Sequence, residues 1–291
     1  MWKMRLPPAG DLNAQLNAAL VHINGTVVYE LSPEERQSIH DLYARYDEFY
    51  GEPHHTLNPE ALNACRNALH DAYGQVQVSG RLSTMRARLL DAAPECPFCG
   101  AAPATTLDHH LPKDDYRSLS INPRNLIPSC QPCNRAKGTL EPVAGEGIIH
   151  TYFQTLPEET FLVAQTSYAD GTLVVSFSVD EQVAPPPLSE RLTFQIGRLK
   201  LDDRLAKSIN TFLFELKPGL ELLRDIPDPR EFIKNHLLKA GVSFDRSFGL
   251  NHWKAAVVRG LAACDSFLDD PWSYLDNEAV FMAELDEEVL L

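Results

Sequence analysis

The chain has 291 residues, of which 44% are hydrophobic and 23% charged, as in an ordinary globular protein with a substantial core. No apolar run approaches the roughly 20 residues that span a bilayer, and the first residues lack the apolar centre of a signal peptide. We therefore expect a cytoplasmic protein without membrane contact. The net charge of −14 argues against broad nucleic-acid binding, although residues 96–140, with five basic and three acidic side chains, have a basic excess.

Residues 1–93 are predicted to be mostly helical. Ser32 and Pro33 form a typical helix start, which is followed by glutamates and, later, a glycine stop. Residues 58–74 repeat this pattern, so a second helix is expected there. A third helix is predicted for residues 81–93, where apolar side chains recur on one face.

Two short hairpins are predicted from their turn residues. One turns at Asn24-Gly25 and the other at Asp170-Gly171, each between two strand-like runs. The second is an accessory hairpin within residues 149–184. A proline-rich hinge then leads into a helical, acidic C-terminal region, residues 185–291. Its last segment, which has no lysine or arginine, fits either a docking tail or a solvated helix.

Four of the six cysteines form two pairs with the spacing of metal knuckles. Cys96-x-x-Cys99 is followed, after 30 residues, by Cys130-x-x-Cys133. Two such pairs in one segment favour a four-thiolate zinc site over a pair of redox motifs. The zinc site is expected to be structural, because protein ligands fill all four positions.

Between and after these knuckles the sequence reads LDHHLP, NPRNLIPSC and CNRAKG. The pattern D-H-x-x-P, then N-L before a cysteine knuckle, then a polar residue and a lysine after it, resembles the HNH endonucleases. The resemblance covers residues 96–140 and implies the ββα-metal fold. The predicted fold class is therefore α+β: a zinc-stapled ββα core at residues 94–148, inserted between mostly helical regions.

The resemblance also implies a catalytic site. Asp108 would be a metal ligand, His109 the general base, and Asn125 the residue that holds the loop around the base. Asn134 occupies a position that is often histidine in the family, and would be the second metal ligand. A carboxylate and an amide oxygen suit magnesium or manganese. Read from the residues alone, Asn125 fits better as an ordinary turn asparagine, and a helix cap is the alternative for Asn134.

The two adjacent histidines are not equivalent in this interpretation. Neighbouring residues of a strand point to opposite faces, so Asp108 and His109 can serve one site only where the strand ends, and Pro112 favours such an ending. A neutral imidazole near pH 7 is a suitable base. His110 is then a neighbour that either supports the site or contacts substrate.

Four basic residues of this segment are candidates for phosphate contacts. They are Lys113, Arg117, Arg135 and Lys137. The prediction is strongest for Arg135 and Lys137, which follow the metal site on one helix. A generic solvated rim is the alternative for all four.

Two other functions compete with the nuclease. A zinc-ribbon or treble-clef module that binds nucleic acid or protein without cutting explains the cysteines but not Asp108, His109 and Asn134. A DHH-type metallophosphoesterase shares the letters D-H-H, but the sequence lacks the earlier aspartate motifs of that class. The wider layout also resembles the HNH effector subunits of bacterial antiphage systems, which implies a DNA substrate and an ATPase partner.

Overall fold

The computed structural model describes residues 3–8, 10–143, 146–169 and 172–276. Contacts group the chain into two compact units: Met1–Leu156 with Pro186–Leu199, and Pro157–Pro185 with Lys200–Leu291. The predicted turn at Asp170-Gly171 and the end of the acidic tail, residues 277–291, lie outside the described residues. The four-part division inferred from the sequence, with boundaries near residues 93, 148 and 184, stays a prediction.

The first unit contains most of the predicted N-terminal helices. Its helices are α1 (Leu12–Ala19), α2 (Pro33–Glu48), α3 (Arg66–Asp71), α4 (Ser83–Asp91), α5 (Gln131–Lys137) and α6 (Leu188–Arg198). α2 begins where the sequence predicts, with a reciprocal capping box. Ser32 Oγ accepts from the backbone N–H of Glu35 at 3.1 Å, and the Glu35 carboxylate accepts from the backbone N–H of Ser32 at 2.9 Å.

Two predicted N-terminal elements differ from the structure. The helix expected over residues 58–74 is divided into a 3-10 turn (Glu60–Leu62), α3, and a second 3-10 segment (Ala72–Val76). Asparagines, which have a low helix propensity, interrupt this stretch at residues 58, 63 and 67. The hairpin expected at Asn24-Gly25 is reduced to a single bridge between Val21 and Val27.

The centre of the first unit is the predicted ββα motif. β1 (Thr106–His109) pairs antiparallel with β2 (Leu126–Ser129), and α5 follows β2 directly. The register joins Thr106 to Ser129 at one end and His109 to Leu126 at the other. The structure therefore confirms the α+β class and shows that β1 ends at His109.

The ββα motif packs into the helical core of the first unit. Leu107, Leu111, Leu119 and Leu126 are buried in the same apolar cluster as residues of the N-terminal helices, Leu42 of α2 among them. Full burial of one such leucine side chain stabilises the folded protein by about 1.5–3 kcal/mol. The ββα motif that holds the candidate site is therefore fixed by packing against a buried apolar core.

The second unit contains the accessory hairpin and the C-terminal helices. Its elements are β3 (Leu162–Ala169), β4 (Thr172–Val179), α7 (Leu201–Glu221), α8 (Arg230–Phe248), α9 (Trp253–Ala262), α10 (Asp265–Asp269) and α11 (Trp272–Leu275). Asn251 fixes the start of the hairpin, because its Oδ1 accepts from the backbone N–H groups of Phe161 (2.7 Å) and Leu162 (2.9 Å). No helix in the described ranges has the length and apolar character needed to cross a membrane.

Candidate metal and catalytic site

The four cysteines of the two knuckles converge. The Sγ atoms of Cys96, Cys99, Cys130 and Cys133 all lie within 4.8 Å of one another, and all four residues are buried. The Cys99 and Cys130 sulfurs are 3.8 Å apart, which matches the edge of about 3.8 Å expected for a tetrahedron with Zn–S bonds of about 2.3 Å. The donor set and its spacing fit a structural zinc ion.

Asp108 lies on the face of β1 that is turned toward α5. It is 3% exposed, and its Oδ2 lies 3.1 Å from the Lys137 Nζ in a buried ion pair. Burial raises the pKa of Asp108 to about 6, and the nearby ammonium only partly opposes this increase. The carboxylate therefore depends on a neighbouring cation for its charged form.

Lys137 does not occupy the position predicted for it. Its side chain is 1% exposed, and besides pairing with Asp108 its Nζ donates to the backbone oxygen of His109 at 2.6 Å. The predicted phosphate contact of Lys137 is therefore wrong for this structure, because its ammonium lies inside the protein. It joins the end of α5 to the end of β1.

His109 is the last residue of β1. Its Nε2 is 2.9 Å from the backbone oxygen of Ser120, and the Tyr73 ring packs edge-on against it with centroids 4.4 Å apart. A carbonyl oxygen only accepts, so Nε2 carries the proton and Nδ1 is the unprotonated nitrogen. Burial lowers the pKa of His109 to about 4, so the ring is neutral at pH 7.

Asn134 approaches the same face of β1 as Asp108. Its Nδ2 donates to Thr106 Oγ1 at 3.1 Å, and Thr106 and Asp108, two residues apart in a strand, share one face. With the amide nitrogen used in this way, the amide oxygen is the group left to act as a ligand. A carboxylate and an amide oxygen on one face fit a hard divalent cation such as magnesium or manganese.

Asn125 connects the end of β1 to the loop that precedes β2. It is fully buried; its Oδ1 accepts from the backbone N–H of Leu111 at 2.8 Å, and its Nδ2 donates to the oxygens of Leu111 (3.1 Å) and Leu119 (3.4 Å). Leu111 and Leu119 both follow His109 in the chain, and Leu119 directly precedes Ser120, whose backbone oxygen contacts the His109 ring. The side chain therefore bridges two loop segments, which an ordinary turn asparagine does not do.

His110 is fully buried and turns into the interior. Its ring packs against that of His150, with centroids 4.2 Å apart. Burial lowers its pKa well below the usual histidine value. This position is consistent with a supporting role and argues against direct contact with substrate.

The remaining basic candidates do not form one patch. Lys113 Nζ lies 3.1 Å from His70 Nε2, and Arg117 donates to Asn67 Oδ1 at 2.6 Å, so both lie beside α3. Arg117 borders a polar groove of about 400 Å³ that is lined by residues 58–67 and 114–118. Arg135 is exposed on α5.

Two residues near His109 are not indicated by any motif in the sequence. Tyr73 packs on the His109 ring and donates to the backbone oxygen of Leu107 at 3.2 Å. His70 lies beside Lys113 and also bonds Asp114 at 3.0 Å. Both come from the broken helix of residues 58–74, whose placement against the loop depends on tertiary packing.

Comparison with known proteins locates the similarity in this segment. Residues 96–140 match the family described as HNH endonuclease. Protein ea31 of Escherichia phage lambda is 45% identical over 47 residues, which are 16% of this chain and 16% of that protein. Septu protein PtuB of Bacillus thuringiensis is 47% identical over 45 residues, 16% of this chain and 18% of that protein.

The alignments therefore cover less than a fifth of each relative, and no solved structure matches the chain. The matched segment contains both the ββα motif and the four-cysteine cluster. Residues 96–140 are an HNH endonuclease domain.

Proposed function

We propose that this protein is a metal-dependent endonuclease that hydrolyses phosphodiester bonds of DNA. The observation that carries the proposal is the match of residues 96–140 to the HNH endonucleases, with Asp108, His109, Asn125 and Asn134 at the motif positions of a ββα unit. A binding module without catalysis would account for the cysteine cluster alone. It gives no reason for a neutral, oriented histidine beside a buried carboxylate.

The chemistry of the chain's own residues centres on His109. Its bond to Ser120 leaves Nδ1 free to take the proton of an attacking water, and the Tyr73 ring limits rotation of the imidazole. Asn125 holds Leu111 and Leu119 in place around this ring. Such a base typically contributes ~10²–10⁴-fold to the rate.

A divalent cation is the second component of the proposed site. Asp108 and Asn134 would hold magnesium or manganese, which when bound stabilises negative charge on the phosphate and the leaving oxygen. Lys137 keeps Asp108 ionised and in place beside α5. Lys113, Arg117 and Arg135 remain the proposed nucleic-acid contacts, because their side chains are at least partly exposed around this site.

We further propose that the protein is an effector subunit of a bacterial antiphage complex with a protein partner such as an ATPase. The similarity to Septu protein PtuB supports this. The charge of the chain supports it too: at −14 a free subunit binds a polyanion poorly, so a partner that delivers DNA would raise its activity sharply.

A cleavage assay tests the proposed activity. The purified chain, alone and together with any protein that co-purifies with it, is incubated with plasmid DNA and magnesium, manganese or EDTA. We expect metal-dependent cleavage that His109→Ala reduces by about 100-fold or more without loss of zinc. Binding without cleavage under every condition, partner included, would contradict the proposal and favour a non-catalytic zinc module.

His110 offers a matched control for this assay. His110→Ala changes the neighbouring histidine, which is buried against His150 and does not face substrate. We expect it to lower stability through a cavity and to weaken cleavage much less than His109→Ala does at a temperature where both variants are folded. Equal loss of cleavage in the two variants would argue against His109 as the base.

A further inference from the structure

Tyr46 lies at the centre of a buried chain of hydrogen bonds that ends at Asn125. Its hydroxyl lies 3.0 Å from Asn125 Oδ1 and 2.9 Å from His150 Nε2. On the far side, His150 Nδ1 lies 3.3 Å from the backbone nitrogen of Tyr152. The side chains of Tyr46, Asn125 and His150 are all 2% exposed or less.

The two ends of this chain determine its direction. An amide oxygen only accepts and a backbone N–H only donates, so Asn125 must accept and Tyr152 must donate. His150 therefore carries its proton on Nε2 and donates it to the Tyr46 oxygen. The Tyr46 proton points to Asn125 Oδ1 at 3.0 Å, the nearer of its two acceptors, since the Arg124 backbone oxygen lies 3.4 Å away. Burial lowers the pKa of His150 to about 3, which agrees with a neutral ring. Hydrogen bonds aligned head to tail strengthen one another.

The packing around His150 leaves little freedom for its ring. A Cβ atom added at Gly51 would overlap the imidazole and come within 3.0 Å of the Tyr46 hydroxyl. Gly51 also has φ +74°, a left-handed conformation that other residues rarely adopt. The turn after α2 is therefore shaped to let His150 approach Tyr46.

The last bonds of the chain reach the catalytic segment. Asn125 accepts from the Leu111 N–H and donates to the oxygens of Leu111 and Leu119. Leu111 lies two residues after His109, and Leu119 directly precedes Ser120, which contacts the His109 ring. A shift of the Asn125 amide would release both segments together. Tyr46 and His150 hold that amide, yet both lie outside the matched residues 96–140.

We propose that Tyr46 and His150 are positioning residues of the endonuclease site, which orient the Asn125 amide and through it the loop around His109. This inference rests on the proposed function for its kinetic part only. Its structural part, the restraint of the Leu111 backbone, holds for any activity of the domain.

Tyr46→Phe tests the proposal because it removes one oxygen atom and keeps the ring. Hydrogen exchange of the Leu111 amide, followed by NMR, reports the restraint directly, and we expect it to speed up about tenfold. In the cleavage assay kcat should fall about tenfold with little change in KM, since the variant leaves the exposed basic residues untouched. His150→Phe should likewise speed up Leu111 exchange and lower kcat. His150→Gln keeps an N–H donor, so it should change both quantities less than His150→Phe does.

Tyr43→Phe is the matched control. Tyr43 lies on α2 three residues before Tyr46, and its hydroxyl has no hydrogen-bond partner among the described residues. This variant should leave the exchange of Leu111 and the cleavage rate unchanged. Equal effects of the two tyrosine variants would overturn the proposal.

The outcomes separate this inference from the proposed function. Unchanged Leu111 exchange and kcat in both Tyr46→Phe and His150→Phe would refute the positioning role while leaving the nuclease assignment intact. A wild-type protein that never cleaves would refute the nuclease, and faster Leu111 exchange in Tyr46→Phe would still support the restraint. If Tyr46→Phe does not fold, the two His150 variants provide the same comparison.

Discussion

Replacing Lys137 with methionine removes a charge that water does not reach while keeping most of the side-chain length. The ammonium is 1% exposed, lies 3.1 Å from the Asp108 carboxylate and donates a 2.6 Å hydrogen bond to the His109 oxygen. Removing one partner of a buried ion pair costs about 3–5 kcal/mol, because the other charge is left without a counter-ion. We expect Lys137→Met to lower the free energy of local unfolding of β1 by this amount near neutral pH.

The loss should depend on pH in a defined direction. The pKa of Asp108 is raised from 3.8 to about 6 in the folded protein, and loss of Lys137 raises it further. A carboxyl whose folded pKa exceeds its unfolded pKa makes the folded state less stable as the pH rises from the lower to the higher value. We therefore expect destabilisation of about 3 kcal/mol or more at pH 8. At pH 5 Asp108 is protonated in both proteins, and the lost bond to His109 accounts for about 1 kcal/mol.

Native-state hydrogen exchange of β1 measures this local free energy in buffer without added magnesium or manganese. Arg135→Met is the control, because Arg135 is exposed on the same helix as Lys137. The double variant Asp108→Asn with Lys137→Met should recover most of the loss at pH 8. An equal loss at both pH values, or an equal loss in Arg135→Met, would refute the reasoning.

Two further outcomes are expected from other parts of the chain. Cys96→Ser should reduce bound zinc, measured by atomic emission, from one ion per chain to well below one, and should expose residues 96–137 to hydrogen exchange. The control is Cys264→Ser, at a lone cysteine of the second unit, which should change neither the zinc content nor the exchange. Gly260→Ala should destabilise the second unit by about 1–3 kcal/mol in thermal unfolding, because an added Cβ would overlap the backbone of β3. Gly197→Ala, where nothing lies within 4 Å, should be neutral or stabilising; matching losses in the two glycine variants would contradict the packing argument.

The ββα unit could be predicted because its signals are local. The cysteine spacing predicts the four-thiolate cluster, and Pro112 predicts an end to β1 near His109. The resemblance to the HNH endonucleases implies the short hairpin and the following helix, and the structure contains both. Helix α2 was likewise predictable, since Ser32 and Glu35 cap it through neighbours in the sequence.

The error at Lys137 has a geometric origin. Arg135 and Lys137 are two residues apart on a helix, so they point in nearly opposite directions and cannot share one phosphate-binding face. Lys137 instead shares a face with Cys133, four residues before it, and a zinc ligand must face the interior. That spacing was a usable signal for burial of the lysine.

The support of Asn125 could not be predicted in the same way. Tyr46 lies 79 residues from Asn125 and 104 residues from His150, and a tyrosine on an amphipathic helix gives no indication of which distant side chain it will meet. The same holds for Tyr73 against His109. Such contacts arise only when the helices close around the hairpin.

The hairpin formed by β1 and β2 is held at its two ends by different chemistry. Its Thr106–Ser129 end adjoins the zinc knuckle through Cys130, and its His109–Leu126 end adjoins Asn125. A zinc ion at the knuckle end is removed by a chelator or by acid. The hydrogen bonds of Asn125 at the other end are removed by neither. Loss of zinc should consequently separate β1 from β2 first at the Thr106–Ser129 end and last at the His109–Leu126 end. The chain would then pass through a state in which the catalytic end is still formed while the structural end is already open.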